Sequence, residues 1–289
     1  MLTMSHDNLT ATLLITCPDQ KGLVATVTNM LASRKLNILD LHQHTARTDS
    51  RFFQRIKFDL SELEGSREAL ERDIGEMAAR FQMEWKISYS DKKKRVAIFT
   101  SKYYHCIVDL LTRWQIGELN CDIPLIISNH EDQRALAETF NIPYHVFKIT
   151  KDNKAEQEAK EIALLREYNI DLVVMARYMQ ILSDDFCAAF PHQIINIHHS
   201  TLPAFIGAKP YHQAFERGVK LVGATAHYAT ADLDEGPIIA QGVVDATHED
   251  EVEDLVRKGR DVERIVLAKA VNAHLDDRII VHGRGTVVF

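Results

Sequence analysis

Apolar runs of strand length alternate with helix-length amphipathic stretches over the last two thirds of the sequence. Five such runs lie at residues 96–99, 123–127, 144–147, 172–175 and 194–197. Between the third and the fourth run, Ala155, Ala159, Ile162 and Leu165 recur at helical spacing and predict a helix with one apolar face. Because parallel strands need a crossover connection, this alternation predicts an α/β fold with a doubly wound, mostly parallel sheet.

The last part of the sequence extends this pattern. Two further strand candidates, 221–228 and 237–244, follow each other through one loop and are therefore predicted to be antiparallel. A long helix is predicted between Glu251 and Leu275. Gly259 is expected to bend or split that helix, since glycine is unfavourable in a helix interior.

The first ninety residues follow a different order. A strand at 11–16 leads through a turn into a helix, a hairpin follows, and Ser66 is placed to cap a second helix before a last strand. This βαββαβ order predicts a ferredoxin-like module. A charged break at 91–94 separates the two patterns, so we predict one domain over residues 8–91 and another over residues 92–289.

Composition and charge narrow the classes of function. The net charge of -7 argues against a nucleic-acid partner, and no apolar stretch approaches the roughly 20 residues of a membrane span. The four cysteines form no CxxC pair, which indicates neither a zinc site nor a disulfide framework. Residues 1–9 are polar and lack the core of a secretion signal. We therefore expect a cytoplasmic protein with no metal, no membrane and no nucleic-acid partner.

The segment Asn196-Ile197-His198 lies where a predicted strand emerges into a loop. Side chains two apart on a strand share a face, so Asn196 and His198 point the same way. At the carboxyl end of a parallel strand, the amide can donate to a developing oxyanion and the imidazole can transfer a proton. The pair also fits a structural role as satisfied polar residues, so the motif alone leaves both interpretations open.

A second candidate segment carries His227 on a predicted strand that runs into an acidic loop ending at Gly236-Pro237. This closed loop can hold the carboxylate of Asp234 against a neighbouring strand end. The alternative is that Asp232, Asp234 and Glu235 form a solvated turn, which is common for acidic loops.

Together these segments resemble the folate-dependent formyltransferase family, whose active site joins Asn-x-His to the Asp of a Leu-Asp-x-Gly-Pro loop. The resemblance runs from about Val96 to the end of the chain. By position it implies that Asn196, His198 and Asp234 are catalytic and that His227 supports them.

The same resemblance includes the stretch Ala-Arg-Tyr-Met-Gln-Ile-Leu that ends at Leu182. It implies that Met179, Gln180, Ile181 and Leu182 receive the pterin ring, with Cys187 nearby on the wall of the pocket. Folate is then the substrate, and no cofactor is implied.

At the N-terminal end, the segment from Cys17 to Val24 resembles the first loop of ACT domains. In that family the loop often binds an amino acid, which implies an effector site with Asp19, Gly22 and Leu23. Such domains also imply a homo-oligomer, a tetramer or a hexamer. The alternative is that Gly22 only permits a tight turn into the helix and binds nothing.

Deformylases are the members of the formyltransferase family that join an ACT domain to this catalytic domain. Their loops resemble residues 101–106 and 203–212, apart from Thr201, where an aromatic residue is usual. The resemblance implies hydrolysis of 10-formyltetrahydrofolate to formate and tetrahydrofolate, which would supply formate for purine synthesis and balance the one-carbon folate pool.

Two other classes of function stay open: transfer of the formyl group to an amine acceptor, and a non-catalytic folate or amino-acid sensor. A phosphorylated acceptor fits poorly, because Tyr103, Tyr104 and His105 are bulky where a Gly-rich loop would present backbone amides to phosphate. His105, His130 and His212 each fit either the wall of a pocket or a structural position.

Overall fold

The computed structural model describes residues 9–204 and 210–289, and the chain forms two compact units. The first unit extends to Lys93 and includes Asp277–Ile280 and Val287–Phe289, and the rest of the chain forms the second. The division into a regulatory domain at 8–91 and a catalytic domain at 92–289 stays a prediction. Part of the C-terminal end packs with the first unit, where Ile280 joins Leu14 and Phe53 in a small apolar cluster.

Up to Lys93, the described residues follow the predicted βαββαβ order. The elements are β1 (Thr10–Pro18), α1 (Leu23–Ser33), β2 (Ile38–Ala46), β3 (Arg51–Asp59), α2 (Arg67–Phe81) and β4 (Glu84–Tyr89). Neighbouring strands are antiparallel in the sheet order β2-β3-β1-β4. The ferredoxin-like module predicted from the sequence is therefore confirmed.

Local chemistry sets where both helices of this unit begin. Gly22 precedes α1 with a φ of 90°, a left-handed conformation that glycine adopts without the steric cost of a Cβ atom. Ser66 caps α2 by accepting a hydrogen bond from the Ala69 N–H at 3.3 Å, as predicted. Val27 and Leu31 of α1 and Ile74 of α2 are fully buried in the core of this unit.

The second unit contains the alternating elements. They are β5 (Lys94–Thr100), α3 (His105–Gln115), β6 (Cys121–Ser128), α4 (Arg134–Thr139), β7 (Tyr144–Val146), α5 (Lys154–Glu167), β8 (Leu172–Ala176), α6 (Asp184–Ala189), β9 (Ile194–His198), α7 (Pro210–Arg217), β10 (Leu221–Tyr228), β11 (Ile238–Asp245) and α8 (Val252–Leu275). Two short strands, β12 (Ile279–His282) and β13 (Gly285–Val288), pair with each other near the end of the chain. None of the helices in the described ranges combines the length and apolar character needed to cross a membrane.

The large sheet has the order β11-β10-β9-β8-β5-β6-β7. The strands from β9 to β7 are parallel, whereas β10 and β11 are antiparallel to their neighbours, so the predicted fold class is confirmed. The chain adds β6 and β7 on one side of β5 and then crosses to β8 and β9 on the other. Such a change of direction opens a crevice at the carboxyl ends of the strands, where ligands bind in sheets of this kind.

The expectation that Gly259 bends or splits the last helix is wrong. Helix α8 is continuous over 24 residues. A Cβ atom at position 259 would collide with the phenol ring of Tyr211, so glycine allows close approach of α7 to α8. The reason for this glycine is therefore a packing contact between two helices.

The inward face of α5 also differs from the prediction. The helix forms as expected, but Ala155 and Ala159 are exposed, whereas Glu158, Glu161 and Leu165 are buried. Both carboxylates have partners: the Tyr178 hydroxyl for Glu161 and the Ser183 N–H for Glu158. Hydrogen bonds from outside the helix thus make it possible to bury two acidic residues that the apolar pattern assigns to the surface.

The burial of Glu161 predicts a dependence of stability on pH. Burial raises its pKa from 4.5 to about 7, although the Tyr178 hydrogen bond and the nearby Glu158 also act on it. The folded state therefore holds a proton that the unfolded state loses, so this contribution is present below pH 4.5 and is lost as pH rises through about 7. We expect Glu161→Gln to match the native chain near pH 4.5 and to be more stable by about 3 kcal/mol at pH 8.

Denaturant unfolding at several pH values measures this difference. The control is Glu156→Gln on the same helix, where an exposed carboxylate pairs with Lys160 and its pKa is lowered by that hydrogen bond. A stability difference for Glu161→Gln that does not change between pH 4.5 and pH 8 would contradict the assignment.

Candidate active site

Strand β9 places Asn196 and His198 on one face at the end of the parallel part of the sheet. In the antiparallel pairing with β10, Asn196 lies opposite His227 and His198 lies opposite Thr225. The pairing of β10 with β11 is irregular between Ala226 and His227, as in a β-bulge, a feature that redirects side chains near functional sites. The amide of Asn196 consequently lies 3.2 Å from Nε2 of His227.

The acidic loop after β10 places the carboxylate of Asp234 beside both His198 and His227. Oδ2 of Asp234 lies 3.1 Å from Nδ1 of His198, and Oδ1 lies 3.5 Å from Nε2 of His227. The Asp234 side chain is only 8% exposed, and its φ of 58° is unusual for a residue with a Cβ atom. The alternative of a solvated turn therefore does not describe Asp234, although Asp232 and Glu235 in the same loop are exposed.

The electrostatics keep Asp234 ionised. Burial alone would raise the pKa of this carboxyl, but the hydrogen bond from Nδ1–H of His198 and the nearby imidazole of His227 outweigh burial and bring the pKa well below its usual range. A carboxylate of such low basicity is a poor proton acceptor at neutral pH. It is well suited to orient a histidine and to stabilise that histidine when it is charged.

The hydrogen bonds of His227 orient the amide of Asn196. Nδ1 of His227 lies 3.0 Å from the Tyr228 carbonyl and donates to it, so in the neutral ring Nε2 is an acceptor. Nε2 then receives one N–H of the Asn196 amide. No described residue accepts from the second N–H of this amide, which can therefore donate to an oxygen atom of a ligand.

The ring of His198 is held from one side only. Its Nδ1–H donates to Asp234, and no described residue provides a hydrogen-bond partner for Nε2, although the residue is only 6% exposed. Buried ring nitrogens normally have partners. Nε2 of His198 is therefore the atom of this group that is free to exchange a proton with a substrate or a water molecule.

A second polar cluster lies at the same edge of the sheet, and of its members only His105 and Tyr103 are candidates from the sequence. Glu263 of α8, with a side chain 1% exposed, accepts hydrogen bonds from His105 and Tyr211, each at 2.8 Å. Nε of Arg177 lies 3.6 Å from the same carboxylate, and the guanidinium stacks over the ring of Tyr103 at 5.0 Å. No periodicity within one element relates these residues, so only the tertiary structure reveals the cluster.

This cluster contains the one group of possible metal ligands among the described residues: His105, Cys106 and Glu263. Nε2 of His105 already bonds to Glu263, and burial raises the pKa of the Cys106 thiol well above its usual value. A protonated thiol is a poor metal ligand. The arrangement gives no support to a metal site, and the expected absence of a metal stays a prediction.

The predicted folate segment lies between β8 and α6, close to these residues. Met179 and Ile181 are exposed, Gln180 is half-buried, and Leu182 is buried in the same apolar cluster as Cys187. The exposed side chains lie at the carboxyl edge of the sheet and leave room for a ligand to contact them. Pterin binding at this segment is a prediction.

One predicted loop and the polar N-terminal segment are described only in part. In the loop at 203–212, residues 205–209 lie outside the described residues, and so do residues 1–8 of the polar N-terminus. Thr201, where the resemblance has an aromatic residue, lies against Gly223: a Cβ atom on that glycine would be 2.8 Å from its methyl group. A larger side chain at position 201 has little room beside β10.

The predicted effector loop belongs to the first unit. Asp19 and Gly22 are exposed, whereas Leu23 is buried. The Asp19 N–H donates to the Ser50 carbonyl at 2.7 Å, and Gly22 accepts from the N–H of Thr26 at 2.9 Å. These bonds define an ordered, accessible turn.

The fold and this group of Asn196, His198 and Asp234 define an α/β enzyme class suited to acyl chemistry. Residues 94–271 match the family described as formyl transferase, and residues 11–75 match the ACT domain family. A formyltetrahydrofolate deformylase of Synechocystis is 54% identical over 98% of this chain and 99% of its own. One of Bacillus subtilis is 50% identical over 96% of this chain and 93% of its own.

Solved structures agree with the sequence relatives. The crystal structure of a formyltetrahydrofolate deformylase from Pseudomonas syringae pv. tomato has a TM-score of 0.96 and 45% identity, covering 99% of this chain and 96% of the other. The chain belongs to the formyltetrahydrofolate deformylase family. The family expected from the sequence is thereby confirmed.

Proposed function

We propose that this chain hydrolyses 10-formyltetrahydrofolate to formate and tetrahydrofolate with Asn196, His198 and Asp234 as its catalytic group. Family membership supports the reaction. The observation that carries the choice of residues is the buried His198 ring, bonded to Asp234 through Nδ1 and free at Nε2.

The geometry supports one assignment of roles. A water molecule attacks the formyl carbon while Nε2 of His198 accepts its proton, and the free N–H of Asn196 donates to the tetrahedral oxyanion. Asp234 stabilises the imidazolium that forms. The bond between the formyl carbon and N10 then breaks as His198 returns its proton to N10, and the formic acid that forms releases its proton to solvent and leaves as formate. Asp234 is thus an orienting group, because both of its oxygens face histidine rings and the hydrogen bond from His198 favours its ionised form.

Water as the acceptor is supported by the cluster around Glu263. At the carboxyl ends of β5 and β8 lie the guanidinium of Arg177, the rings of Tyr103 and Tyr211, and the buried carboxylate of Glu263. Tyr103 and Tyr104 are 42% and 64% exposed there, so bulky side chains stand where a phosphate-binding loop would need open backbone. This arrangement disfavours a phosphorylated amine as acceptor.

The experiment that tests the reaction mixes purified protein with 10-formyltetrahydrofolate and no amine, and follows formate and tetrahydrofolate with time. We expect both products in equal amounts over many turnovers. Stoichiometric binding without turnover would instead support a sensor, and product formed only after addition of an amine would support a transferase.

The proposal extends to the folate site, the role of the product and the state of the protein in the cell. The pterin binds at Met179–Leu182 beside Cys187, and no cofactor takes part, since folate is the substrate. The formate supplies purine synthesis and the reaction balances the one-carbon folate pool. A cytoplasmic location and a homo-oligomer, a tetramer or a hexamer, stay predictions from the sequence.

An amino-acid effector at Asp19, Gly22 and Leu23 is proposed on the match to the ACT domain family. The effector must bind two states of the protein with different affinity to change activity. We expect Gly22→Val to weaken the response through backbone strain and not through crowding, because φ is 90° at this position whereas no atom lies within 4 Å of an added Cβ. Amino-acid titrations of activity and melting temperature measure the response, and no change in either would show that the loop binds no such effector.

A further inference from the structure

The segment between β8 and α6 has an unusual backbone. Arg177 and Met179, on either side of Tyr178, have φ values of 64° and 61°. Side chains with a Cβ atom rarely adopt this left-handed conformation, and such residues persist only where the surrounding structure holds them. Contacts from outside the segment must therefore fix its shape.

Two carboxylates of α5, one helical turn apart, supply those contacts. Tyr178 is 1% exposed, its ring packs edge-on against Phe99 at 5.0 Å, and its hydroxyl donates to Oε1 of Glu161 at 2.7 Å. At the other end of the segment, the Ser183 N–H donates to Oε1 of Glu158 at 3.1 Å. The residues between these two anchors are those proposed to receive the pterin.

The Glu161 carboxyl has no evident task other than this bond. It is fully buried, and no described residue gives its Oε2 atom a hydrogen-bond partner. Burial also raises its pKa to about 7, so retaining an acidic group here lowers the stability of the fold at neutral pH. A group that costs stability and makes one bond, to the strained segment, is better explained by the shape of that segment than by stability.

We infer that Glu161 and Glu158 are positioning residues for folate recognition: they hold Tyr178 and Ser183 so that the backbone from Met179 to Leu182 is preformed for the pterin ring. This inference rests on the proposed binding of folate at that segment. Neither carboxylate touches the substrate. Both act through the hydrogen bonds that they accept.

Tyr178→Phe removes one hydroxyl and tests the inference. Without the Glu161 bond the segment is ordered only when folate binds, so we expect the KM for 10-formyltetrahydrofolate and the Kd for tetrahydrofolate to rise roughly tenfold, with kcat within about twofold. Glu161→Leu should have the same effect. Because both substitutions break the same hydrogen bond, the double variant should raise KM and Kd no more than either single variant does.

Glu161→Gln keeps an acceptor for the Tyr178 hydroxyl and should restore folate affinity to near the native value. The matched control is Tyr144→Phe, which removes a buried hydroxyl that donates to the His130 carbonyl at 2.7 Å elsewhere in the same unit. It should lower the melting temperature and leave KM unchanged.

The outcomes separate this inference from the proposed function. If the native protein produces no formate, the proposed function fails. If the native protein is active and Tyr178→Phe or Glu161→Leu folds with unchanged KM and Kd, the positioning role is wrong. Additive losses in the double variant, or equal losses in Tyr144→Phe, would also overturn it, because they would show general destabilisation.

Discussion

Asp234→Asn is expected to lower kcat by about 10²–10⁴-fold, with little change in folate affinity. The substitution keeps the shape of the side chain but removes the negative charge that orients His198 through Nδ1 and stabilises its charged form. These interactions are stronger in the transition state than in the bound substrate, so the rate falls far more than binding. Steady-state kinetics and a tetrahydrofolate titration measure the two quantities.

The control for this variant is Asp232→Asn, two residues away in the same loop. Asp232 is exposed, so its amide variant should be nearly silent. Near-normal turnover by a folded Asp234→Asn protein would contradict the mechanism, and equal losses in the two loop variants would indicate a structural role for the turn.

His198→Ala and Asn196→Ala should show losses comparable to that of Asp234→Asn. Combining them with Asp234→Asn should cost less than the sum of the separate penalties, because the three groups act as one unit.

Gly236→Ala is expected to lower kcat at least about 100-fold and to destabilise the second unit by roughly 3 kcal/mol. A Cβ atom on Gly236 would overlap the carbonyl group of Tyr228, which is backbone and cannot turn away. The loop must then move off β10, where the Tyr228 N–H donates to the Pro237 carbonyl at 2.9 Å. Asp234, two residues earlier, moves with it and leaves its position on His198.

Kinetics and thermal unfolding measure both effects of this methyl group. The matched control is Gly75→Ala in α2, where no atom lies within 4 Å of the added Cβ and alanine favours the helix. That variant should be as stable as the native protein or more so. A Gly236→Ala protein with native kcat would show that the loop tolerates displacement, and the rigid placement of Asp234 would then be incorrect.

Much of the fold could be predicted because its signals are local. Strand and helix periods depend on neighbours within one element, so the alternating segments and the βαββαβ module are visible in the sequence. The Asn196-x-His198 spacing and the loop around Asp234 are equally local. The 3.1 Å contact between His198 and Asp234 is not a local feature, because it depends on the pairing of β9 with β10.

The fold class, the family and the candidate catalytic residues of this protein can all be inferred from local sequence patterns. The tertiary structure alone decided which polar groups are buried and what each one bonds. The sequence pattern assigns Glu161 and Glu263 to the surface. In the structure both are buried, because Tyr178 donates a hydrogen bond to Glu161. His105 and Tyr211 donate hydrogen bonds to Glu263. The physical reason is that a carboxylate can be buried only where donors from other elements replace its water, and those donors lie far away along the chain.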